Sequence, residues 1–451
     1  MNTLKSDVDT QLETTFRSYE RVYSVPEVVA VVGGGEKKKL YIDEHVPGLL
    51  GVSPGADLTK TEAYAAGALI LQDKASCFPA YLLDARTDGD VVDACAAPGN
   101  KTTHAAAILQ ARCAEGEKLG RKVLAFEKDA ARAKTLAKMV EKAGAKGIVR
   151  VGFGQDFLKV DPRDERYRDV TALLLDPSCS GSGIVGRDSA PELHLPEPPP
   201  PPGFKKGGAA DKKGEKKDKK RKRGGDEEGP VMVDDEGNVQ RLKSEQELAQ
   251  RLRALAAFQL TLLLHALEFP AARRVTYSTC SVHHEENEGV VMAALGSEVA
   301  RRRGWRVLRR EEQVSGMREW PVRGVVDGCG GDEGVAGGCV RSYKGDGRGV
   351  MGFFVVAFVR DGEDEARGEE PFARDEEGRI VRDEEGMPLV KATGEFASIP
   401  REGGEQEKES EGEDGSESES GESEDESGSD ATSGVDGSDD GDDAEWGGFD
   451  D

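Results

Sequence analysis

Cysteine is scarce in this chain of 451 residues: Cys77, Cys95, Cys113, Cys179, Cys280, Cys329 and Cys339 are all there are, and no two form a C-x-x-C pair. No secretory leader pattern stands ahead of them. A disulfide framework and a structural zinc site are therefore not expected; a reducing compartment is, and no metal. Apolar runs are short as well. None approaches the length of about 20 residues that a membrane-spanning helix needs, so no membrane partner is expected. A basic excess is also missing. Residues 361–451 hold 35 acidic and 7 basic residues, so the net charge of −25 belongs to the tail and residues 1–360 are close to neutral. Within that body, residues 205–225 hold 11 basic and 3 acidic residues. Charge alone thus assigns the folded part no nucleic-acid partner.

What is present centres on Val91-Val92-Asp93-Ala94-Cys95-Ala96-Ala97-Pro98-Gly99-Asn100-Lys101-Thr102. A β-branched run ends in small residues, turns at Pro98-Gly99 and opens onto Thr103–Leu109, which has helical spacing. Small side chains let a ligand approach the loop backbone, and the helix N-terminus offers unpaired N–H groups, so the stretch reads as a nucleotide-type pocket.

Around it the chain alternates strands and helices. Ser6 is expected to cap a helix through about Glu20, with Val8, Leu12 and Phe16 on one face. A strand at Lys39–Ile42 follows, then a lead-in segment, Gln72-Asp73-Lys74-Ala75-Ser76, before Val91. Lys122–Glu127 reads as a second strand ending in an acid, where a carboxylate commonly accepts from ribose hydroxyls. Asp129 is expected to cap a helix carrying Leu136 and Val140. A third strand at Gly147–Val151 leads to Asp156-Phe157, a place for an adenine ring. Val170–Leu175 is apolar throughout, as befits a parallel strand covered on both faces. Residues 187–243, with Pro198–Pro202 and a Lys/Arg-rich run, read as a disordered insert, and Lys216–Arg223 resembles a nuclear or nucleolar import signal. A long helix from about Ser244 stops before Pro270. Arg274–Ser278 is the next strand, Glu285–Glu288 opens another helix, and Trp305–Leu308, Cys339–Tyr343 and Met351–Val359 supply late strands. Residues 361–451 read as an acidic, largely disordered tail.

Ligands of open α/β sheets sit beyond the carboxyl ends of the strands. The loop Asp176-Pro177-Ser178-Cys179-Ser180-Gly181-Ser182-Gly183 and the loop Thr279-Cys280-Ser281 should therefore share a cleft with Pro98-Gly99. Most cysteines are small core residues. Cys179 and Cys280 instead stand among Ser, Gly and Thr, in loops whose N–H donors favour a thiolate, and so become candidate nucleophiles.

Taken together, Asp93-Ala-Cys-Ala-Ala-Pro-Gly-Asn-Lys101, Asp176-Pro-Ser-Cys-Ser-Gly-Ser-Gly183 and Tyr277-Ser-Thr-Cys-Ser281 resemble the Nop/Sun family of S-adenosylmethionine-dependent RNA cytosine-5 methyltransferases. Asn100-Lys101-Thr102, Leu71–Cys77 and Gly352–Val359 are most similar to its branch acting on large-subunit ribosomal RNA. The resemblance covers about residues 1–360 without the insert. It implies an α/β, Rossmann-like class I methyltransferase fold, a mostly parallel seven-stranded sheet with helices on both faces, in residues 86–360. Residues 1–85 would be a family-specific N-terminal segment. Fuller members carry a substantial N-terminal helical region, and Met1-Asn2-Thr3-Leu4-Lys5 looks like the middle of a family motif, so a shortened RNA-binding region is expected.

The resemblance also implies roles. Cys280 would add to carbon 6 of cytosine, Cys179 would assist release of the product, and Asp176 would bind the cytosine edge. Cys95, Ala96, Ala97, Pro98, Gly99, Asn100, Lys101, Glu127, Arg132, Asp156 and Asp176 fall on the positions that bind S-adenosyl-L-methionine. The target base must leave its stack, so unpaired or flipped RNA is expected, within large-subunit rRNA or a pre-ribosome, by a monomer in the nucleus and nucleolus. Three other readings stand beside this one: 5-methylcytosine formation in tRNA, a non-catalytic RNA-binding assembly factor, and a DNA cytosine methyltransferase. The last is disfavoured because Ser178 separates Pro177 from Cys179.

Overall fold

Residues 1–30, 38–113, 119–184, 231–233, 239–241 and 244–360 are described by the computed structural model, all within one unit spanning Met1–Lys391. The polyproline run, the Lys/Arg-rich run with Lys216–Arg223, and the acidic tail lie outside the described residues.

Near the start, helix α1 (Val8–Glu13) precedes strand β1 (Glu20–Val22). Then come α2 (Val25–Val29), β2 (Lys39–Ile42), β3 (Leu50–Val52) and α3 (Glu62–Ala65). The three strands form one small sheet with β2 in the centre, parallel to β1 and antiparallel to β3. The first helix is shorter than its pattern predicts and is capped by Asp7, whose Oδ1 accepts from Thr10 N at 2.7 Å, rather than by Ser6. The chain turns after Glu13, with Phe16 N donating to Gln11 O. That turn puts Phe16 into a small core with Leu40, Leu58, Tyr64 and Leu69, so burial overrides the helical period.

The lead-in segment becomes α4 (Lys74–Leu83), capped by Asp73 through Ala75 N at 2.9 Å. After it the main sheet is laid down by β4 (Asp90–Asp93), α5 (Asn100–Ala111), β5 (Val123–Glu127), α6 (Ala130–Ala143), β6 (Val149–Phe153) and β7 (Val170–Leu175). Two short antiparallel strands, β8 (Val231–Val233) and β9 (Val239–Arg241), lie inside the stretch expected to be irregular throughout. Next come α7 (Glu245–Leu267), β10 (Arg274–Thr279), α8 (Glu288–Gly296), β11 (Arg306–Val307), β12 (Val340–Ser342) and β13 (Phe353–Val359).

The strand order is β11-β13-β10-β7-β4-β5-β6, with β4, β5, β6, β7 and β10 parallel and β13 antiparallel to β10. An eighth strand joins the seven. β13 is seven residues long, so its outer edge carries both β11, at Phe358 and Val359, and β12, at Phe353–Val355. Successive strand residues point to opposite faces, and β5, β10 and β13 are buried along nearly their whole length, so both faces are covered, as in a Rossmann-like sheet. β4 pairs with β5 on one side and β7 on the other. The order therefore reverses at β4, and the loops leaving β4 and β7 bracket a crevice at that switch point.

Candidate active site

β4 delivers Asp93 to the crevice floor, where it is 1 % exposed. Its Oδ2 accepts from Thr102 Oγ1 at 2.7 Å and its Oδ1 from Cys95 N at 3.4 Å, closing the loop between strand and helix. Burial pushes the Asp93 carboxyl up to about 6. Gly99 takes φ +110° at the head of α5, and a Cβ there would sit 3.0 Å from Leu136 and 3.1 Å from Met139. Only glycine gives both that backbone and that approach to α6. Asn100 Nδ2 donates to Leu71 O at 3.1 Å, tying the loop to the lead-in segment.

At the end of β5, Glu127 is 6 % exposed and accepts from Asp129 N at 3.0 Å. Arg132 reaches over it, Nε 3.8 Å from Glu127 Oε2, and donates to Ala97 O at 3.2 Å. Asp156 caps the turn after β6 through Leu158 N at 3.1 Å. Phe157 lies at the wall but is buried, its ring spent on Phe126, His265 and Phe269, so it is chiefly a core residue rather than an open platform for adenine.

The second half of the crevice comes from β7 and β10. Asp176 holds Lys101 Nζ at 2.7 Å and accepts from Ser278 Oγ at 2.5 Å. Lys101 also donates to Ser76 Oγ at 2.9 Å and lies 5.7 Å from the Phe353 ring centre. Burial alone would lower the lysine pKa, but Asp176 and the Cys280 sulfur outweigh it and hold the ammonium above its usual range. Beyond Asp176, Cys179 Sγ lies 3.1 Å from Cys280 Sγ, and both thiols are free. The contact with Cys280 and burial push the Cys179 thiol well up, and either sulfur can donate to the other.

A cleft of about 1500 Å³ joins the two halves. Cys95, Ala96, Ala97, Pro98, Asn100, Lys101, Glu127, Arg132, Asp156, Asp176, Cys179 and Cys280 all line it, whereas Gly99 turns to α6 instead. Sequence reasoning missed the residues that hold this arrangement. Ser76 and Ser278 were legible as members of a segment and a strand, though not as partners of the Lys101–Asp176 pair. Glu286, in the turn before α8, which starts at Glu288 rather than at Glu285, and Gln259 on α7 are both fully buried and hold the Cys179 loop, and nothing in one carboxylate of an acidic run or one helical amide signals that.

Residues 80–195 match the family model described as 16S rRNA methyltransferase RsmB/F. The chain is 36% identical over 358 residues to the 25S rRNA (cytosine-C(5))-methyltransferase rcm1 of Schizosaccharomyces pombe, covering 79% of this chain and 61% of that protein. It is 33% identical to the 28S rRNA (cytosine-C(5))-methyltransferase of Mus musculus, covering 80% and 61%. The chain thus spans about three fifths of the length of these curated relatives. A solved structure of a methyltransferase homolog from Pyrococcus horikoshii is 18% identical with a TM-score of 0.51, covering 80% of this chain and 85% of that one, and agrees in fold.

Proposed function

Since the chain belongs to the RsmB/F methyltransferase family, we propose that it makes 5-methylcytosine in large-subunit ribosomal RNA through a covalent bond from Cys280 to the base. The observation that carries the proposal is the pair of free sulfurs, Cys179 and Cys280, 3.1 Å apart in one cleft beside the Lys101–Asp176 ion pair. The rRNA named for the eukaryotic relatives supports the substrate class and, with it, a nuclear and nucleolar site of action.

The donor half of the cleft suits S-adenosylmethionine. Its loop is lined by Ala94, Ala96 and Ala97, Glu127 stands at the end of β5, and the buried Gln155 Oε1, also in the cleft wall, has no hydrogen-bond partner among the described residues. Cys95, Ala96, Ala97, Pro98, Asn100, Lys101, Glu127, Arg132, Asp156 and Asp176 would hold it. When bound, it supplies a methyl group on a sulfonium, which departs as a thioether.

The chain's own residues do the rest. Carbon 5 of cytosine is a poor nucleophile, so the Cys280 thiolate adds to carbon 6 and moves an electron pair to carbon 5. Asp176, fixed by Lys101 and Ser278, holds the amino edge of the base. Once carbon 5 is methylated, it gives its proton to solvent water in the cleft, which returns the pair and expels Cys280 as thiolate, with Cys179 assisting release. The base reaches Cys280 only out of its stack, so the RNA is unpaired or flipped at the target. The protein acts as a monomer on RNA, free or in a pre-ribosome.

The test incubates the purified chain with methyl-labelled S-adenosylmethionine and large-subunit rRNA, with tRNA as the control. Transfer to one rRNA cytosine is expected, abolished in Cys280→Ala, with a persistent covalent RNA adduct in Cys179→Ala. Transfer undiminished in Cys280→Ala overturns the mechanism, and transfer to tRNA alone overturns the substrate.

A further inference from the structure

The proposed reaction, on which the inference below rests, gives two touching cysteines different tasks. A thiol is a thiol, so the difference has to come from what surrounds each sulfur. On the Cys280 side stands the Lys101 ammonium, whose pKa the Cys280 sulfur helps to raise. On the Cys179 side stands a carboxylate, Glu286, fully buried in the turn that precedes α8.

Glu286 works only as an acceptor. Its Oε1 accepts from Ser180 N at 2.9 Å and from Gln259 Nε2 at 3.0 Å, and its Oε2 accepts from Ser180 Oγ at 2.5 Å. Gln259 in turn donates to Ser178 O at 3.0 Å. The residue before Cys179 and the residue after it are therefore both fastened to this one carboxylate, Ser180 directly and Ser178 through Gln259. The Tyr277 hydroxyl closes the network, 3.0 Å from Gln259 Oε1 and 2.5 Å from the Glu286 carbonyl oxygen. Among the described residues, none of these bonds goes to Cys280.

We propose that Glu286 is the positioning residue that separates the tasks of the two cysteines: it clamps the backbone on both sides of Cys179 and places negative charge there, so that Cys179 is held as the assisting thiol and Cys280 is left as the nucleophile. The carboxylate touches neither substrate nor cofactor and acts through the loop. Its charge adds to the effects of the Cys280 contact and burial that keep the Cys179 thiol protonated. In Glu286→Gln the charge is gone, while the amide oxygen can still accept from Ser180 N and Gln259 Nε2 and the amide N–H₂ can donate to Ser180 Oγ, a hydroxyl that also accepts. With the clamp kept and the charge removed, the Cys179 thiol ionises more readily.

Thiol labelling reads this without any turnover. The full chain is treated with iodoacetamide between pH 7 and 9, and each cysteine peptide is quantified by mass spectrometry. In the wild type, Cys280 is expected to label about tenfold faster than Cys179. In Glu286→Gln, Cys179 labelling should rise roughly threefold or more while Cys280 changes by less than about twofold. Should Glu286→Gln fail to fold, Ser180→Ala removes one donor and keeps the carboxylate, and it should move the ratio the same way by less. Equal labelling of the two cysteines in the wild type, or an unmoved ratio in a folded variant, overturns the assignment. With RNA and S-adenosylmethionine, Glu286→Gln should also accumulate the Cys280 adduct as Cys179→Ala does. If the wild type methylates no RNA, the proposed function fails, while the labelling ratio still decides the role of Glu286.

Discussion

The loop that leaves β4 and the two loops that leave β7 and β10 face the same cleft, yet they are braced over different distances along the chain. Thr102 closes the first loop onto Asp93 from nine residues away, Thr103 Oγ1 closes onto Gly99 O from four, and the loop's ties to Leu71 and Arg132 span 29 and 35 residues. The cysteine loops are held from far off: Ser180 to Glu286 spans 106 residues, Ser178 to Gln259 spans 81, and Asp176 to Ser278 spans 102. A short-range brace forms as soon as its own strand and helix form, because it closes almost no loop. A long-range brace exists only after the sheet has assembled. The donor half should therefore tolerate distant damage, whereas the cysteine half should report any loosening of α7, α8 or the strands that follow.

The largest test of that contrast is Glu288→Gln. Glu288 and Arg341 form a buried pair, with Arg341 Nε 2.6 Å from Glu288 Oε1, and Glu288 also accepts from Val325 N at 3.0 Å. Burial alone would raise the Glu288 pKa, but Arg341 overrides it and holds the carboxyl below the usual range. Arg341 reaches back to Val282 O at 3.1 Å, two residues beyond Cys280. Removing the charge leaves a buried guanidinium without its counter-ion, at a cost of about 3–5 kcal/mol in urea unfolding. Methyl transfer should fall with it, while binding of S-adenosylmethionine, read by calorimetry, stays within about threefold, half a pKa unit's worth of free energy. Equal losses of binding and transfer would erase the difference between the two halves.

The same contrast explains what could be read from the residues alone. Val170–Leu175 and Lys39–Ile42 are strands over the predicted residues because their apolar character is local. Asp129 caps α6 and Ser244 caps α7, since a capping side chain acts within three residues. The Asp93–Lys101 stretch declares its turn for the same reason. α1 ends early because Phe16 answers to Leu40 and Tyr64, which are distant in sequence. β12 was legible as a strand, but not as an eighth member sharing the edge of β13, since pairing is a property of two strands. Glu286 and Gln259 lie furthest from legibility. Each looks like ordinary helix chemistry until β7 and β10 bring Ser178 and Ser180 to them.

A test of intermediate size concerns the donor half by itself. Asp93 carries a pKa of about 6 in the folded chain against an ordinary value of 3.8. Between those values the folded state holds a proton that the unfolded chain has given up, so this group makes stability fall as pH rises from about 4 to about 6. Above pH 6 the buried carboxylate costs about 3 kcal/mol relative to its protonated form. Asp93→Asn has no such titration. Its stability relative to the wild type should therefore improve by about 2 kcal/mol between pH 4.5 and pH 7.5, the rest of the titration lying below pH 4.5, as measured by urea unfolding at the two values. The other carboxylates cancel in the difference, and parallel pH profiles for the two proteins would show that Asp93 does not titrate in this window.

The smallest effect is expected from Tyr277→Phe, which removes one hydroxyl from the far-braced half and leaves every charge in place. The ring stays buried in β10, so the sheet should keep its packing. What is lost is the donor between Gln259 Oε1 and the Glu286 carbonyl, and leaving these acceptors short of a partner should cost about 1–2 kcal/mol. Glu286 keeps its three donors, so the labelling preference for Cys280 over Cys179 should narrow by less than about twofold. A shift as large as that of Glu286→Gln would mean that the geometry of the network, rather than the charge at its centre, separates the two sulfurs. A stability loss with no change in labelling would mean that the carboxylate alone does so.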